Sequence, residues 1–419
     1  MSSNDVTTAE TAHASNGKPA AGAADPPPTV PGDPGRGGRT PSREIMSSSA
    51  TALAFALIFA VYAVWLQGGF FDVTRLSFDI SRSAPQIALA VAVVVCLSGH
   101  QFDLSVAMIA TGACFAVVGL HVDAGLPMGW ALAITILMGL LAGLINGILV
   151  TALNVSAFIA TLGTGGLFAG LTVVYSSGNV IGPTVESGPL PGWFSGAGSV
   201  GDFQNKVPAL LAVLLIVALV GALLVSIDQR FPGPDARRRT QVAVLAVVGA
   251  GVVGLAAALG VPTEMDWSIF IVLTLALVVW IVMKYTAVGH AIYAVGGNAS
   301  AAAFAGIRTR RVQLSLFVFS GTISAVAGVL IAAQQGSAAP GVANPLLLPA
   351  YAGAFLSTVL LSRGGFHVWG AAGGSIALVY VTDGLVVGGV PYTWTEVING
   401  AVLITAVALS TILVRRSGR

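Results

Sequence analysis

Long stretches without a charged residue recur along this chain, and they constrain its fold more than any other feature. Runs of about 20 such residues give twelve candidate spans, at about 48–66, 84–100, 104–121, 127–150, 155–177, 208–227, 241–260, 267–284, 312–334, 346–362, 367–390 and 393–414. A bilayer core is crossed by about 20 apolar residues in a helix, which satisfies its own backbone in lipid. Only 9% of the residues are charged, against about 25% in soluble domains. We therefore predict an all-α, polytopic membrane protein with about 10–12 transmembrane helices.

Basic residues set the predicted orientation, because cytoplasmic loops hold an excess of Lys and Arg. With the N terminus inside, 16 basic residues are cytoplasmic, and only Arg75, Arg82 and Lys206 lie outside. Both termini are therefore predicted to be cytoplasmic. Residues 1–45 are rich in Pro, Gly and polar groups and are predicted to form a disordered cytoplasmic tail, which leaves 46–419 as the transmembrane domain. The net charge of +2 is too small to imply nucleic acid binding.

The least regular part of this map is 84–121, where "LSGHQFDLSVAM" interrupts two apolar runs. It predicts either a cytoplasmic hairpin or a helix broken within the membrane, which protein or water would have to surround. Asp103 and Asp383 are the only acids that we place inside or at the lip of apolar runs, where a charge costs at least ~2.5 kcal/mol. Asp103 either lines a pathway or fixes the broken helix, or else it caps the backbone of Leu104 and Ser105. Asp383 either serves a pathway or caps a turn near the outer surface.

Between two long apolar stretches, residues 289–311 read "GHAIYAVGGNASAAAFAGIRTRR". The two glycines of "VGGN" are predicted to break the preceding span, and Asn298 to cap a helix of about two turns that Gly306 stops. Phe304 is the one large apolar side chain of this helix, so we expect the helix to need a partner surface. The alternative is a loop helix that rests on lipid headgroups, with arginines that only follow the orientation rule.

Several motifs resemble the sugar-type ABC transporter permeases of the ribose/xylose/arabinose branch. "GHAIYAVGGNASAAAFAGI" is similar to the coupling-helix motif of that family, "FDLSVA" at 102–107 to its I-D-L-S-V-G, and "FIATLGTGGLFAGL" at 158–171 to its F-I-x-T-L-G-T-x-x-x-x-R-G-L. The loop "RFPGPDARRRT", the span at 241–260 and the late segment "TDGLVVGGVPYTWTEVINGAVL" resemble the xylose-type permeases most. The chain departs from the family pattern at Ala107 and Ala169, and at 356–370, where only Gly364 and Gly365 remain of a Gly-rich turn.

The resemblance implies a permease subunit of an ATP-driven importer in the bacterial cytoplasmic (inner) membrane, which translocates a monosaccharide such as a xylose-like pentose. It implies four kinds of partner: an ATP-binding subunit that holds ATP and Mg, an extracytoplasmic sugar-binding protein, a second permease copy, and lipid. The ATPase-coupling residues that follow are Gly296, Gly297, Asn298, Ala302, Ala303, Phe304, Gly306 and Ile307. Our candidates for the translocation path are Asp103, Ser105, Asn146, Thr161, Thr164, Asp383 and Asn399.

Other polar and small residues have competing interpretations. Asn146 and Asn399 each lie beside Gly on a predicted helix and bind either a sugar or a neighbouring helix. Gly139, Gly143 and Gly147 repeat every four residues, which is typical of close helix packing. The long loop at 176–208 is assigned to docking of the binding protein.

No enzyme activity of the chain itself is predicted. Its three lysines lie outside any G-x-x-x-x-G-K-[ST] motif, so we expect no ATP site and no cofactor in this chain, and we find no catalytic triad, metal cluster or paired carboxylates. Cys96 and Cys114 lie in apolar runs and are interpreted as core residues. The alternative function is an ion-coupled secondary carrier of a small polar solute. Such a carrier needs ionisable groups in its spans, and only Asp103 clearly qualifies.

Overall fold

The computed structural model of the 419-residue chain describes residues 60–62, 64–66, 73–199, 207–208, 264–360 and 365–417. Most of the described residues are helical, which confirms the predicted all-α, polytopic fold. Two two-residue strands, β1 (Val207–Pro208) and β2 (Glu264–Met265), pair antiparallel. Short 3-10 helices lie at Asn344–Leu346 and Tyr392–Trp394. The α-helices are α1 (Val73–Arg82), α2 (Ala84–Ser98), α3 (Val106–Val122), α4 (Met128–Thr151), α5 (Ala157–Ser176), α6 (Gly192–Gly198), α7 (Trp267–Tyr285), α8 (Ala287–Gly297), α9 (Ala299–Phe304), α10 (Thr309–Gln335), α11 (Leu347–Leu360), α12 (Val368–Val387) and α13 (Thr395–Ser417).

Nine of the twelve predicted spans fall on described residues, and a helix occupies each of them. Among the described helices, α4, α5, α7, α10 and α12 are long and apolar enough to cross a membrane, while α2 and α3 are shorter apolar helices. The predicted spans at 208–227 and 241–260, the tail at 1–45 and most of 48–66 lie outside the described residues. The number of spans and the cytoplasmic termini stay predictions.

Helix α10 runs through the core and packs closely on α4. A Cβ atom added to Gly139 or Gly143 of α4 would collide with the backbone of Gly321 or Phe317 of α10, and one added to Gly147 would press on Leu314. Small residues let membrane helices approach to this separation. The predicted packing face of α4 is therefore confirmed.

The two ends of the helix bundle can be told apart by the residues and helices that lie there. At the end where α7 begins, Ser81 Oγ donates to Asp266 Oδ2 at 2.6 Å, and Gln334 Nε2 at the end of α10 donates to the Ser81 carbonyl at 2.8 Å. We call this the distal end. At the opposite end of α7, Tyr285 is followed by α8 and α9, and we call this the coupling end.

Helices α2 and α3 run in opposite directions and are joined by the turn at 99–105, and the position of that turn relative to the membrane stays a prediction. Helix α2 ends at Ser98, and His100 adopts a positive φ of 54° where the chain reverses. A Cβ atom on Gly296 of α8 would collide with the Ser98 carbonyl, so the turn lies towards the coupling end. Asp103 follows in this turn and is fully buried in protein.

Candidate functional site

The predicted coupling segment contains one helix more than the sequence suggested. Helix α7 ends at Tyr285, and the side chain of Thr286 accepts from the Gly289 amide at 3.3 Å, which caps α8. The glycines of "VGGN" therefore end this second helix and not the preceding span, so that prediction was wrong. The missed signal is Thr286, a favoured N-cap residue directly after the apolar run.

Helix α9 is built as the sequence predicts. Asn298 has an extended backbone (φ −158°) and its Oδ1 accepts from the Ala301 amide at 2.9 Å, so it separates α8 from α9 and caps the latter. Gly306 follows the helix with a φ of +83°, which a glycine adopts without steric strain. Phe304 is 94% exposed. The result is a short capped helix that presents one aromatic side chain outward.

The remaining predicted coupling residues divide between a packed and a free face. Gly296 and Ala302 are buried and Ile307 is half-buried, whereas Gly297 and Ala303 are exposed. Tyr293 Oη donates to the Phe366 carbonyl at 3.4 Å, beside the start of α12. Helix α8 thus attaches the exposed α9 to the helix bundle.

Four of the predicted pathway residues meet in one buried polar cluster around Asp103. Asp103 Oδ1 accepts from the Ser105 amide at 3.0 Å and from the Ser105 hydroxyl. Asn146 Nδ2 of α4 donates to Ser105 Oγ at 2.9 Å, and the Leu104 amide donates to Thr161 Oγ1 of α5 at 3.2 Å. This arrangement ties the start of α3 to α4 and α5.

The cluster is closed to solvent in this conformation. Asp103, Ser105, Asn146 and Thr161 have no exposed surface. The contacts give Asp103 the capping role that we weighed for it, and they make Asn146 a link between helices. Tyr351 Oη of α11 also donates to the Asp103 carbonyl at 2.9 Å. The sequence gives no signal for Tyr351, because a lone tyrosine in an apolar helix is ordinarily a packing residue.

The other three pathway candidates lie apart from these hydrogen bonds. Thr164 is buried on α5, one turn after Thr161. Asp383 is half-buried near the end of α12, so it lies within a helix and does not cap a turn. Asn399 is buried on α13. A pathway role for all seven residues stays a prediction.

Two further acids, which lie outside the apolar runs, are also buried. Asp79 on α1 is 6% exposed and Asp266 is 4% exposed, both at the distal end. Burial raises the pKa of Asp79, and the Asp383 carboxylate raises it further, while Arg75 and Arg82 lower it. The sequence gives no signal that these acids are buried, because they lie outside the apolar runs and are covered only by tertiary packing.

His367 lies directly before α12 at the coupling end and is half-buried. Its Nδ1 is buried without a hydrogen-bond partner among the described residues. Burial lowers the pKa of His367, and the charge of Lys284 lowers it further.

Cys96 and Cys114 are both buried free thiols, as expected for core residues. Within the described part of the chain, His, Cys, Asp and Glu form no group that could hold a metal ion.

Comparison with known proteins agrees with this architecture. The model of a family described as "Branched-chain amino acid transport system / permease component" matches residues 78–407. The chain is 28% identical over 386 residues to the xylose transport system permease protein XylH of Escherichia coli (strain K12), with 87% of this chain and 93% of that protein covered. It is 27% identical over 354 residues to the autoinducer 2 import system permease protein LsrC of Escherichia coli O157:H7, with 84% of each chain covered. No solved structure matches.

These matches confirm the resemblance that the motifs indicated, and they favour a permease over an ion-coupled carrier. They also agree with a multi-pass protein of the cytoplasmic membrane, because the matched proteins are permeases and several described helices can cross a bilayer. The family model covers far more than half of the chain, from the last residues of α1 into α13. The chain therefore belongs to the family of permease components of the branched-chain amino acid transport system type.

Proposed function

We propose that this permease passes a monosaccharide, a xylose-like pentose or a related sugar, through the membrane as part of an ATP-driven importer. A separate subunit binds ATP and Mg and hydrolyses the nucleotide, while an extracytoplasmic binding protein delivers the sugar. The names of XylH and LsrC, the relatives that cover most of the chain, support a small hydroxylated solute.

The observation that carries this proposal is the exposed Phe304 on a capped helix of six residues. A helix this short is not stable by itself in water, and an aromatic side chain that is 94% exposed has lost almost no surface to the rest of the chain. Aromatic anchors that fill a pocket on a partner dominate the binding energy of protein interfaces. We assign α9 to a groove on the ATPase subunit.

Features at the distal end support the assignment of the loop at 176–208 to docking of the binding protein. Trp193 is 59% exposed while its neighbour Phe194 is buried, so α6 is anchored by one aromatic ring and presents the other. Ile181 and Ala338 exchange backbone hydrogen bonds of 2.9 and 2.8 Å, which fix the start of the loop against the segment after α10. A second permease copy completes the assembly.

The test compares two variants of the coupling segment with the wild type. Phe304→Ala should weaken co-purification of the ATPase by about 30-fold or more, since truncation of a central anchor typically costs about 2 kcal/mol. Arg311→Ala, also exposed, should leave co-purification nearly intact and change mainly its salt dependence. Both variants should insert and unfold as the wild type does. Undiminished co-purification with Phe304→Ala would favour a helix that only rests on lipid.

A second measurement tests whether a separate subunit hydrolyses ATP. The purified chain in liposomes should show no ATP turnover, and xylose uptake should require both the ATPase and the binding protein. Hydrolysis by the isolated chain would refute the separate ATPase.

A further inference from the structure

Residues 336–343, between the end of α10 and the 3-10 helix Asn344–Leu346, are not helical, and the chain turns back along α3. Gly336 ends α10 with a φ of +65°. The Ser337 carbonyl then accepts from Cys114 Sγ at 3.6 Å, and the Ala343 amide donates to Thr111 Oγ1 at 3.2 Å. Tyr351 reaches the Asp103 carbonyl further on. The segment therefore descends beside α3 from the distal end towards the coupling end.

The depth of this segment follows from the helices beside it. Thr111 lies 11 residues before Val122, the last residue of α3, which corresponds to about 16 Å at 1.5 Å per residue. Gly328 of α10 packs directly on Ala110 and lies seven residues before Gln335, which corresponds to about 10 Å. The 3-10 helix Asn344–Leu346 thus lies about 10 to 16 Å below the distal ends of its neighbours.

Asn344 and Pro345 at this depth are exposed, while the adjacent Ala343 is fully buried. The backbone amide of Asn344 donates to the Gly341 carbonyl at 2.9 Å, which fixes the turn. Gly341 has a φ of +70°, and a side chain there would press on the Asn344 amide group. Among the described residues, none forms a hydrogen bond with the side-chain amide of Asn344. The fold thus holds a free side-chain amide outward at the first residue of the 3-10 helix.

A free side-chain amide at this depth is incompatible with contact to lipid. Polar backbone and side-chain groups at membrane depth are tolerated only where protein or a water-filled cavity meets them. The exposed face of α4 provides a contrast, because its outward side chains include Trp130, Ile134, Leu137 and Leu141, which suit lipid.

We propose that Asn344 lies on the aqueous wall of the solute pathway and that its amide forms hydrogen bonds with hydroxyl groups of the passing solute. An amide both donates and accepts, as does a hydroxyl, and it carries no charge that would hold an ion. The substrate class is therefore a neutral polyhydroxylated solute. This inference rests on the proposed function for the identity of the solute, but the location of Asn344 can be tested without transport.

The location is tested by cysteine labelling of the full chain in proteoliposomes. The wild type provides the blank, because its two thiols are buried. Asn344→Cys should react at least tenfold faster with a charged, water-soluble methanethiosulfonate than Ile134→Cys. Ile134 is the matched control, because it is exposed on α4 at a similar depth. It lies five residues before Gly139, and Gly139 packs on Gly321 and Ala325 of α10. Ile134 is therefore near the level of Gly328. Equal or undetectable labelling of both variants would overturn the proposal. Such a result is expected if residue 344 is buried against a second copy of the chain.

The contact with solute is tested by D-xylose uptake in the complete importer with Asn344→Leu and Asn344→Gln. Loss of one or two hydrogen bonds predicts about a tenfold fall in uptake with the leucine variant and partial recovery with glutamine. Co-purification of the ATPase and the melting temperature should not change. Wild-type uptake by Asn344→Leu would overturn the contact. A wild type that carries no xylose would refute the proposed sugar, while the labelling rates would still decide the position of Asn344.

Discussion

Gly296 and Gly297 are adjacent glycines of α8 that differ in what surrounds them, which makes them a sharp test of how the coupling segment is attached. A Cβ atom on Gly296 would come far closer than 3.0 Å to the Ser98 carbonyl, a separation that real Cβ atoms essentially never show. A Cβ atom on Gly297 would have no neighbour within 4 Å. Neither glycine has a positive φ, so Ala suits the backbone at both positions.

The structure predicts opposite effects of the two substitutions on stability. Gly296→Ala forces α8 away from the end of α2 by on the order of 1 Å, and overpacking of this kind costs about 1–3 kcal/mol. Gly297→Ala should be neutral or stabilising, by at most about 1 kcal/mol, because Ala has the higher helix propensity. Thermal unfolding of the detergent-solubilised chain, followed by Trp fluorescence, should give a lower melting temperature for Gly296→Ala than for Gly297→Ala.

The same contact predicts a functional defect that stability alone does not explain. Ser98 leads directly into the turn that holds Asp103, so displacement of α8 alters the connection between the coupling segment and the buried polar cluster. Gly296→Ala should still co-purify with the ATPase, because α9 is unchanged, yet take up less sugar per ATP hydrolysed. Equal melting temperatures for the two variants, together with wild-type coupling by Gly296→Ala, would refute the close packing of α8 on α2.

Three further predictions concern single side chains. Asn298→Ala should weaken co-purification of the ATPase, because loss of an N-cap costs about 1 kcal/mol and leaves the Ala301 amide without its acceptor. Asn298→Ser should restore co-purification, and equal behaviour of both variants would exclude the cap as the cause. Asp103→Ala should lower uptake while the ATPase still assembles, and normal uptake would make Asp103 a replaceable cap. The pKa of His367 is lowered in the fold by burial and by Lys284, so protonation favours the unfolded state and stability is lost as the pH falls below the ordinary value of 6.5. When the pH is lowered from 7.5 to 5, a range on the order of one unit either side of 6.5, the melting temperature should therefore fall more for the wild type than for His367→Gln. Parallel curves of melting temperature against pH would contradict this.

Local signals in the sequence were sufficient for the helices and for the exposed end of the coupling segment. The nine predicted spans within the described residues are helices, because an uncharged run of about 20 residues has few other stable states in a bilayer. Asn298 and Gly306 act on backbone groups within a few positions of themselves, so their roles could be predicted from neighbouring residues alone. The extra helix α8 was missed although its cap, Thr286, is equally local.

Long-range packing decided the rest. Asn146 and Ser105 are 41 positions apart, and Tyr351 and Asp103 are 248 positions apart, yet each pair is joined by one hydrogen bond. The sequence nominated three of these four residues, but polar character alone does not say whether a side chain faces water or another helix. That choice depends on which helix surfaces meet, because a buried polar group is stable only where a distant partner satisfies it. The depth of Asn344 has the same origin: only the contacts of 336–346 with α3 place it inside the bundle, and no pattern of neighbouring residues records them.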